Sequence, residues 1–316
     1  MNRIDLGSTG LHIHPLVFGT LSLGPLQANL SAAQGARLIR SALEGGVDLL
    51  DTAELYQTYP HIRHALDGYA GEVLIATKTH ARDAGEALRH VEKALRELGR
   101  DYLDIVLLHA MQTDDPVAER GPVLEVLLRL RDAGHIRHLG LSTHYVNGVR
   151  GAMACADLEV IHPLINRQGL GIMDGSATQM AEVIALAAKA GKGIYAMKAL
   201  GGGNLIAHAR ASLRYVQQLA GVHAVAIGML SEQEIQANLA LLEGRPCTDD
   251  VWQPLEGRRR QLKIMTPFCK GCGACLEGCP ANALTVGDGV ARVDAERCVL
   301  CGYCAAACPH FLIRVL

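Results

Sequence analysis

Reactive side chains stand at the ends of three successive apolar runs in the first third of the chain. The run Leu-Leu-Asp-Thr-Ala-Glu-Leu-Tyr places the carboxylate of Asp51 five residues before the phenol of Tyr56. The next two apolar runs end in the amine of Lys78 and the imidazole of His109. All four groups can hold or transfer a proton. Because short apolar runs are typical of buried strands, we expect the four side chains to share one site.

The chain alternates short apolar runs with amphipathic segments. Eight such pairs with short connections favour a closed parallel (β/α)8 TIM barrel, an α/β fold, over an open doubly wound sheet. We expect a small hairpin over residues 3–14 before the first strand, and Ser31 as the N-cap of the first helix. The predicted strands are 16–19, 49–53, 72–77, 104–109, 136–141, 159–165, 193–198 and 222–227. The predicted helices are 31–44, 60–67, 83–98, 121–133, 146–154, 178–190, 208–219 and 231–242.

The four reactive residues resemble the catalytic tetrad of the aldo/keto reductase superfamily, whose members also have a (β/α)8 barrel. Asp51, Tyr56, Lys78 and His109 match the tetrad, within the sequences Leu-Asp-Thr-Ala-Glu-Leu-Tyr and Ala-Thr-Lys. The resemblance covers about the first three quarters of the chain. Taken singly, these residues could be a loop cap, a rim aromatic, a solvated strand end and a core imidazole. Four together at matching strand ends favour the catalytic interpretation.

This resemblance implies carbonyl or alcohol redox chemistry with a nicotinamide cofactor. Tyr56 would donate a proton to the carbonyl oxygen, and His109 would position the carbonyl. A free phenol has a pKa near 10, so we expect the cation of Lys78, oriented by Asp51, to help Tyr56 exchange its proton near neutral pH.

Eight of the ten cysteines lie in the last fifty residues and form a repeated motif. Each copy reads C-x2-C-x2-C-x3-C-P, and the second copy follows the first at an offset of 29 residues. This is the pattern of bacterial ferredoxins with two [4Fe-4S] clusters. Zinc or disulfides are weaker alternatives, because zinc sites usually have a longer loop between cysteine pairs and disulfides are rare in the cytosol.

The resemblance to such ferredoxins implies that the fourth cysteine of each motif crosses to the other cluster. One cluster would be held by Cys269, Cys272, Cys275 and Cys308, and the other by Cys298, Cys301, Cys304 and Cys279. Cys155 and Cys247 fall outside the motif and are interpreted as small buried hydrophobes. We therefore predict a barrel over 1–243, a linker with one short helix over 244–265, and a small α+β ferredoxin domain over 266–316.

The nicotinamide signals are weaker than the tetrad. A Gly-Gly-Gly-Asn turn follows the seventh strand, and a second glycine turn opens the last barrel helix, where barrels commonly bind phosphate. The simpler interpretation is a glycine-rich turn followed by an ordinary N-cap. The predicted cofactor-binding residues are Ser142, Asn166, Met197, Lys198, Gly201, Gly228, Ser231 and Asn238.

Some features depart from the family pattern. No Lys or Arg lies between Gly228 and Glu243, so the usual clamp on the 2′-phosphate of NADP is missing and we expect NADH to be preferred. Met197 stands where many relatives stack an aromatic ring on the nicotinamide. The linker and the ferredoxin domain replace the long C-terminal substrate loop.

Composition narrows the partners. A net charge of −2 gives no reason to expect nucleic acid or an anionic membrane. The first residues lack the apolar core of a signal peptide, and no run approaches membrane-spanning length, so we expect a cytoplasmic protein. The expected partners are a small carbonyl or alcohol substrate and a redox protein.

Two functions therefore stand. The first is an aldo/keto-reductase-type oxidoreductase in which two clusters transfer electrons. The second is an electron-transfer or sensing protein whose barrel is a docking scaffold without nicotinamide-dependent turnover. Hydride transfer moves two electrons and each cluster moves one, and no flavin site that could convert between them is evident in the sequence.

Overall fold

The computed structural model describes residues 3–316. Its first element is a two-stranded antiparallel hairpin, β1 (Ile4–Asp5) and β2 (His12–Ile13). Leu6 and Ile13 are completely buried and pack against apolar side chains inside the barrel, so the hairpin closes one end of it.

Eight parallel strands form the closed barrel. Each strand pairs with the next along the chain, and the last pairs with the first through Val225 and Leu16, which closes the ring. The predicted fold class is therefore confirmed. The strands are β3 (Leu16–Gly19), β4 (Leu49–Asp51), β5 (Leu74–Thr79), β6 (Leu103–Met111), β7 (Ile136–Thr143), β8 (Val160–Pro163), β9 (Gly193–Ala196) and β10 (Ala224–Ile227).

A ring of helices covers the barrel, and each helix buries an apolar face against the strands. Ser31 caps the first helix in a reciprocal capping box with Gln34. The fourth helix begins five residues before the predicted start at 121, because two helical segments join across non-helical backbone at Arg120. The helices are α1 (Ala32–Glu44), α2 (Tyr59–Leu66), α3 (Ala84–Leu98), α4 (Pro116–Asp132), α5 (Val146–Ala154), α6 (Ala177–Lys189), α7 (Ala209–Gln217), α8 (Glu232–Leu242) and α9 (Asp249–Glu256).

The cysteine-rich module follows α9. Its hairpin turns at Asp288 and Gly289, both in the left-handed region, as a type I′ turn requires. β11 (Leu262–Ile264) pairs with β14 (Ile313–Val315), so we propose that the module begins near Leu262 rather than at 266. The elements are β11 (Leu262–Ile264), α10 (Ala274–Glu277), β12 (Leu284–Gly287), β13 (Val290–Val293), α11 (Tyr303–Ala307) and β14 (Ile313–Val315).

The module packs closely on the mouth of the barrel where the strands end. A Cβ on Gly202 would lie 1.7 Å from the carbonyl oxygen of Val299. The side chain of Asn204 donates a hydrogen bond to the carbonyl oxygen of Cys298 at 2.6 Å. Barrel and module therefore meet backbone to backbone. Within residues 3–316, no helix combines the length and apolar character needed to cross a membrane.

Candidate active site

The four tetrad residues come together at the mouth of the barrel. Asp51 ends β4, and Lys78 and His109 lie near the ends of the next two strands. Lys78 Nζ lies 2.7 Å from each carboxylate oxygen of Asp51 and 4.9 Å from the ring centroid of Tyr56. The rings of Tyr56 and His109 meet edge to face, with 5.9 Å between centroids.

The turn that carries Tyr56 is a single 3-10 turn, Glu54–Tyr56. Lys93 on α3 donates a hydrogen bond to Glu54 at 2.6 Å and fixes the start of this turn. Gln57, directly after it, has a left-handed φ of 55°. Ala110 and Lys198, which each follow a predicted site residue, are left-handed as well. Such backbone costs a non-glycine residue about 1–3 kcal/mol, and strain of this kind clusters at functional sites.

Two buried residues that the sequence analysis missed support Asp51 from behind. The Tyr195 hydroxyl donates a hydrogen bond to Asp51 at 3.0 Å, and the ring of His162 stacks on Tyr195 with 4.1 Å between centroids. Burial lowers the pKa of His162 to about 4, so its imidazole is neutral near pH 7. Asp51 is therefore held by a cation on one side and a phenol on the other.

Burial controls the protonation of the reacting groups. It lowers the pKa of Lys78, an effect that the neighbouring Asp51 carboxylate opposes. It raises the pKa of Tyr56 well above its ordinary value, and Tyr303 and Asp51 raise it further. Burial, followed by Lys78, lowers the pKa of His109 well below its ordinary value. Near neutral pH, Tyr56 is therefore a protonated phenol and His109 a neutral imidazole, whereas we had expected a phenol that exchanges its proton readily.

A small cavity lies in front of Tyr56, Lys78 and His109. Pro280 and Tyr303, both from the cysteine-rich module, form part of its wall. Other lining residues are Ala110, Gln112, Ser142, His144, Tyr145, Met197 and Lys198.

Two histidines at this cavity have ring nitrogens that are shielded from solvent. The Nδ1 atom of His144 is buried without a hydrogen-bond partner among the described residues, and burial lowers the pKa of His144 to about 3. The Tyr303 hydroxyl shares a hydrogen bond of 3.1 Å with His109 Nε2. The surroundings of the tetrad are thus partly formed by residues of the cysteine-rich module.

A larger groove of about 200 Å³ adjoins the small cavity at Tyr56, Met197 and Lys198. Gly228 and Asn238, predicted to bind the nicotinamide cofactor, also line it.

The other predicted cofactor residues are engaged elsewhere. Asn166 uses both ends of its amide on its own loop, bonding the backbone of Gln168 and Leu170. Ser231 caps α8, and Ser142 accepts a hydrogen bond from the amide of Ala110 beside the small cavity. Gly201 begins a 3-10 turn next to the groove, whose wall is formed by Gly202 and Gly203.

The segment predicted as a linker supplies one wall of the groove. Trp252 and Leu255 of α9 line it, and so do Arg258 and Arg260 beyond the helix. Arg258 pairs with Glu234 of α8, and Arg260 donates a hydrogen bond to the Gln27 side chain at 2.9 Å. Sequence reasoning missed these residues because a linker with one short helix carries no signal of where it packs on the barrel.

The groove has the polar chemistry that a dinucleotide requires. Ser22 Oγ and Trp252 Nε1 both line it and are buried without a hydrogen-bond partner among the described residues. Because buried polar atoms are normally satisfied, both atoms are candidates for hydrogen bonds to a ligand in the groove. Two arginines add positive charge for phosphate. The residues present therefore fit a nicotinamide dinucleotide.

The eight motif cysteines surround two further cavities. We call the set Cys269, Cys272, Cys275 and Cys308 the distal set, and the set Cys279, Cys298, Cys301 and Cys304 the proximal set; each surrounds one cavity. This is the crossed grouping that the ferredoxin resemblance implied. Backbone amides donate to the sulfurs of Cys269 and Cys279 at 3.3 Å. Four thiols around one cavity, with amides directed at sulfur, fit a [4Fe-4S] cluster.

Comparison with known proteins identifies both parts of the chain. The model of the aldo/keto reductase family matches residues 15–207, and that of the 4Fe-4S dicluster domain matches residues 268–311. The chain is 29% identical over 183 residues to the aldo-keto reductase YhdN of Bacillus subtilis, covering 52% of this chain and 54% of that protein. It is 34% identical over 177 residues to pyridoxine 4-dehydrogenase of Escherichia coli, covering 50% and 58%.

The C-terminal part and the fold have their own relatives. An uncharacterized ferredoxin of Methanocaldococcus jannaschii is 45% identical over 56 residues, covering 17% of this chain and 37% of that protein. PA4992, a candidate aldo-keto reductase of Pseudomonas aeruginosa, superimposes with a TM-score of 0.65 at 27% identity over 77% of this chain and 95% of that one. The chain spans about half the length of the curated reductases it matches. Since the first family model matches more than half of its residues, the chain belongs to the aldo/keto reductase family and carries a C-terminal 4Fe-4S dicluster domain.

Proposed function

We propose that the protein is an oxidoreductase that interconverts a small carbonyl compound and its alcohol with a nicotinamide cofactor. The observation that carries this proposal is the buried Asp51–Lys78 pair beside the protonated Tyr56, in a cavity that adjoins the groove. Proton donor, cation and imidazole all face one space. Membership of the aldo/keto reductase family supports the same chemistry.

The chain's own residues handle the proton. Bound reduced nicotinamide supplies a hydride to the carbonyl carbon. Tyr56 donates its phenolic proton to the carbonyl oxygen, so that the carbonyl gains a hydride and a proton and becomes an alcohol. The Lys78 cation stabilises the phenolate left behind, and Asp51 holds Lys78 in place. His109, whose imidazole is neutral near pH 7, would position the same oxygen by a hydrogen bond from its ring.

For the cofactor, Met197, Lys198, Gly228 and Asn238 remain our proposed contacts, with Ser22 and Trp252 added as groove residues. Ser142, Asn166, Gly201 and Ser231 stay predictions.

We propose NADH as the preferred nucleotide, for a reason that differs from the one the sequence suggested. Two arginines from outside the Gly228–Glu243 segment line the groove. The guanidinium of Arg258, however, is already paired with the carboxylate of Glu234. A 2′-phosphate would have to displace that carboxylate and approach its negative charge. The arginines therefore suit the shared pyrophosphate better than the extra phosphate of NADPH.

We propose that the distal and proximal sets each hold a [4Fe-4S] cluster, which supplies single electrons when bound. Cys272 of the distal set is exposed, which supports exchange of electrons with a redox protein at that side. A cluster protein with free cysteines suits a reducing compartment, so a cytoplasmic address remains our proposal.

The test is anaerobic turnover of the cluster-loaded protein. NADH and NADPH are each assayed with methylglyoxal, pyridoxal and 4-nitrobenzaldehyde, the first two chosen because relatives are described as a methylglyoxal reductase and a pyridoxine dehydrogenase. Tyr56→Phe should lower kcat by about 10²–10⁴-fold, the usual contribution of a positioned acid. Tyr215→Phe removes a hydroxyl from α7, outside both cavities, and should leave kcat unchanged. Unchanged turnover in Tyr56→Phe would refute the proposal.

The second candidate function is electron transfer or sensing with the barrel as a scaffold. The observation that favours it is the hydrogen bond between Tyr303 and His109, which engages a catalytic group. It predicts that neither nucleotide binds and that cluster reduction is the same in Tyr56→Phe and wild type.

A further inference from the structure

One side chain of the ferredoxin module reaches the tetrad. Tyr303 stands between Cys301 and Cys304 of the proximal set, at the start of α11. Its hydroxyl shares the 3.1 Å hydrogen bond with His109 Nε2, and the two rings meet edge to face at 6.1 Å. Its ring packs against the apolar cluster formed by Leu26, Ala53 and Tyr56. The proximal cysteine loop thus enters the catalytic cavity.

The barrel contacts this loop at two positions just before Tyr303. Gly302, in the left-handed region at φ 81°, lies so close to the barrel that a Cβ there would be 2.1 Å from the carbonyl oxygen of Leu26. Gln27 donates a hydrogen bond to the carbonyl oxygen of Leu300 at 3.3 Å. Only glycine combines that backbone with that approach. The domain interface therefore holds the backbone next to Tyr303 in a position from which its side chain enters the cavity.

The contact excludes a substrate from the tetrad. Under the proposed function, on which this inference rests, the carbonyl oxygen lies between Tyr56 and His109. The Nε2 atom of His109 offers one hydrogen-bonding site, and the Tyr303 hydroxyl occupies it. Substrate oxygen and Tyr303 hydroxyl therefore compete for the same nitrogen atom.

We propose that Tyr303 is a specificity-determining residue of the active site: a carbonyl substrate binds only by displacing the Tyr303 hydroxyl from His109. Pro280, directly after Cys279 of the proximal set, lines the same cavity. A displaced Tyr303 strains the loop that carries Cys301 and Cys304. Occupancy of the catalytic cavity is thereby coupled to the proximal cysteine set and not to the distal one.

Such coupling must act in both directions. If a bound carbonyl changes the surroundings of the proximal set, the oxidation state of a cluster held there changes carbonyl affinity by the same factor. No covalent step is involved.

The kinetic test compares wild type with Tyr303→Phe, which keeps the ring and removes the competing hydroxyl. Both are assayed anaerobically as cluster-loaded full chains with NADH and 4-nitrobenzaldehyde. We expect Tyr303→Phe to lower KM between about two- and tenfold, the range that one net hydrogen bond contributes, with kcat changed less than twofold. Tyr215→Phe is the matched control and should leave KM unchanged. If wild type turns over the aldehyde and Tyr303→Phe has the same KM, this inference is overturned while the proposed function stands.

The failure of the proposed function gives a different result. If neither wild type, Tyr303→Phe nor Tyr303→Ala turns over any aldehyde, the proposed function is refuted and this inference with it. Turnover only in the Tyr303 variants supports the inference, because wild type is then blocked by its own hydroxyl.

The coupling has a readout that does not depend on turnover. The two clusters are titrated potentiometrically with electron paramagnetic resonance detection, with and without acetophenone. This ketone has no nitro group for the clusters to reduce, and no nucleotide is added, so no hydride transfer occurs. We expect one of the two midpoint potentials to shift in wild type and the shift to shrink in Tyr303→Phe. Two unshifted potentials, or equal shifts in both proteins, would overturn the coupling.

Discussion

Replacing Asp51 with Asn tests the buried ion pair on which the site is built. Lys78 is about 1% exposed, and its ammonium has hydrogen bonds to Asp51 at 2.7 Å and to the Thr52 carbonyl at 2.8 Å. The variant leaves a buried ammonium without its counter-ion, which typically costs about 3–5 kcal/mol.

The destabilisation of the variant has an upper limit, because the variant can fold with Lys78 deprotonated. Releasing a proton from a lysine with the ordinary pKa of about 10.4 costs about 4.6 kcal/mol at pH 7 and about 1.9 kcal/mol at pH 9, at 1.36 kcal/mol per pH unit. In the variant the folded pKa of Lys78 lies below its unfolded value, so the unfolded state binds more protons. Stability of the variant relative to wild type therefore rises with pH between the folded pKa of Lys78 in the variant and its higher folded pKa in wild type, where Asp51 opposes the effect of burial.

The assay is anaerobic urea unfolding of the cluster-loaded protein at pH 7 and pH 9, followed by circular dichroism. Asp157→Asn is the matched control; its carboxylate pairs with Arg131 at the surface and is 45% exposed, so its loss should cost at most about 1 kcal/mol. A loss for Asp51→Asn below 1 kcal/mol at pH 7, or one that grows toward pH 9, would refute the reasoning.

Three further outcomes are expected. Cys272→Ser should remove one cluster, seen as a loss of about half the iron and labile sulfide, whereas Cys247→Ser should keep both; equal iron in the two variants would contradict the ligand assignment. Glu234→Gln frees Arg258 and should raise the affinity for NADPH relative to NADH on the order of tenfold by titration; an unchanged ratio would show that Glu234 does not select the nucleotide. Gly202→Ala places a Cβ against the backbone of Val299 and should open the domain interface, measured as faster amide exchange over 296–304; unchanged exchange would contradict the close approach.

Local patterns were sufficient to predict the framework. Asp51, Lys78 and His109 each end an apolar run, and strands of one parallel barrel must present their ends at one face. The cysteine repeat carries its chemistry in its spacing. Both features depend on residues near each other in the chain, so the barrel, the tetrad and the cysteine module were all within reach of the sequence.

Contacts between segments that are distant in the chain could not be predicted from local patterns. Tyr195 occupies an apolar strand position, and nothing near it in the chain indicates that its hydroxyl meets Asp51. Trp252 of α9 and Arg258 just after it lie in the segment predicted as a linker, which becomes a wall of the groove only once the chain folds back on α8. Asn166 is a further case: a polar residue after a strand suggests a ligand contact, and only the folded structure shows that its amide also bonds its own loop.

The most direct test of the central claim is the fate of a labelled hydride. The cluster-loaded protein is mixed anaerobically with 4-nitrobenzaldehyde and NADH or NADPH dideuterated at C4 of the nicotinamide, and the alcohol is analysed by mass spectrometry. The account predicts one deuterium on the carbinol carbon with wild type and almost no alcohol with Tyr56→Phe. Unlabelled alcohol, or equal labelled yield from both proteins, would contradict it.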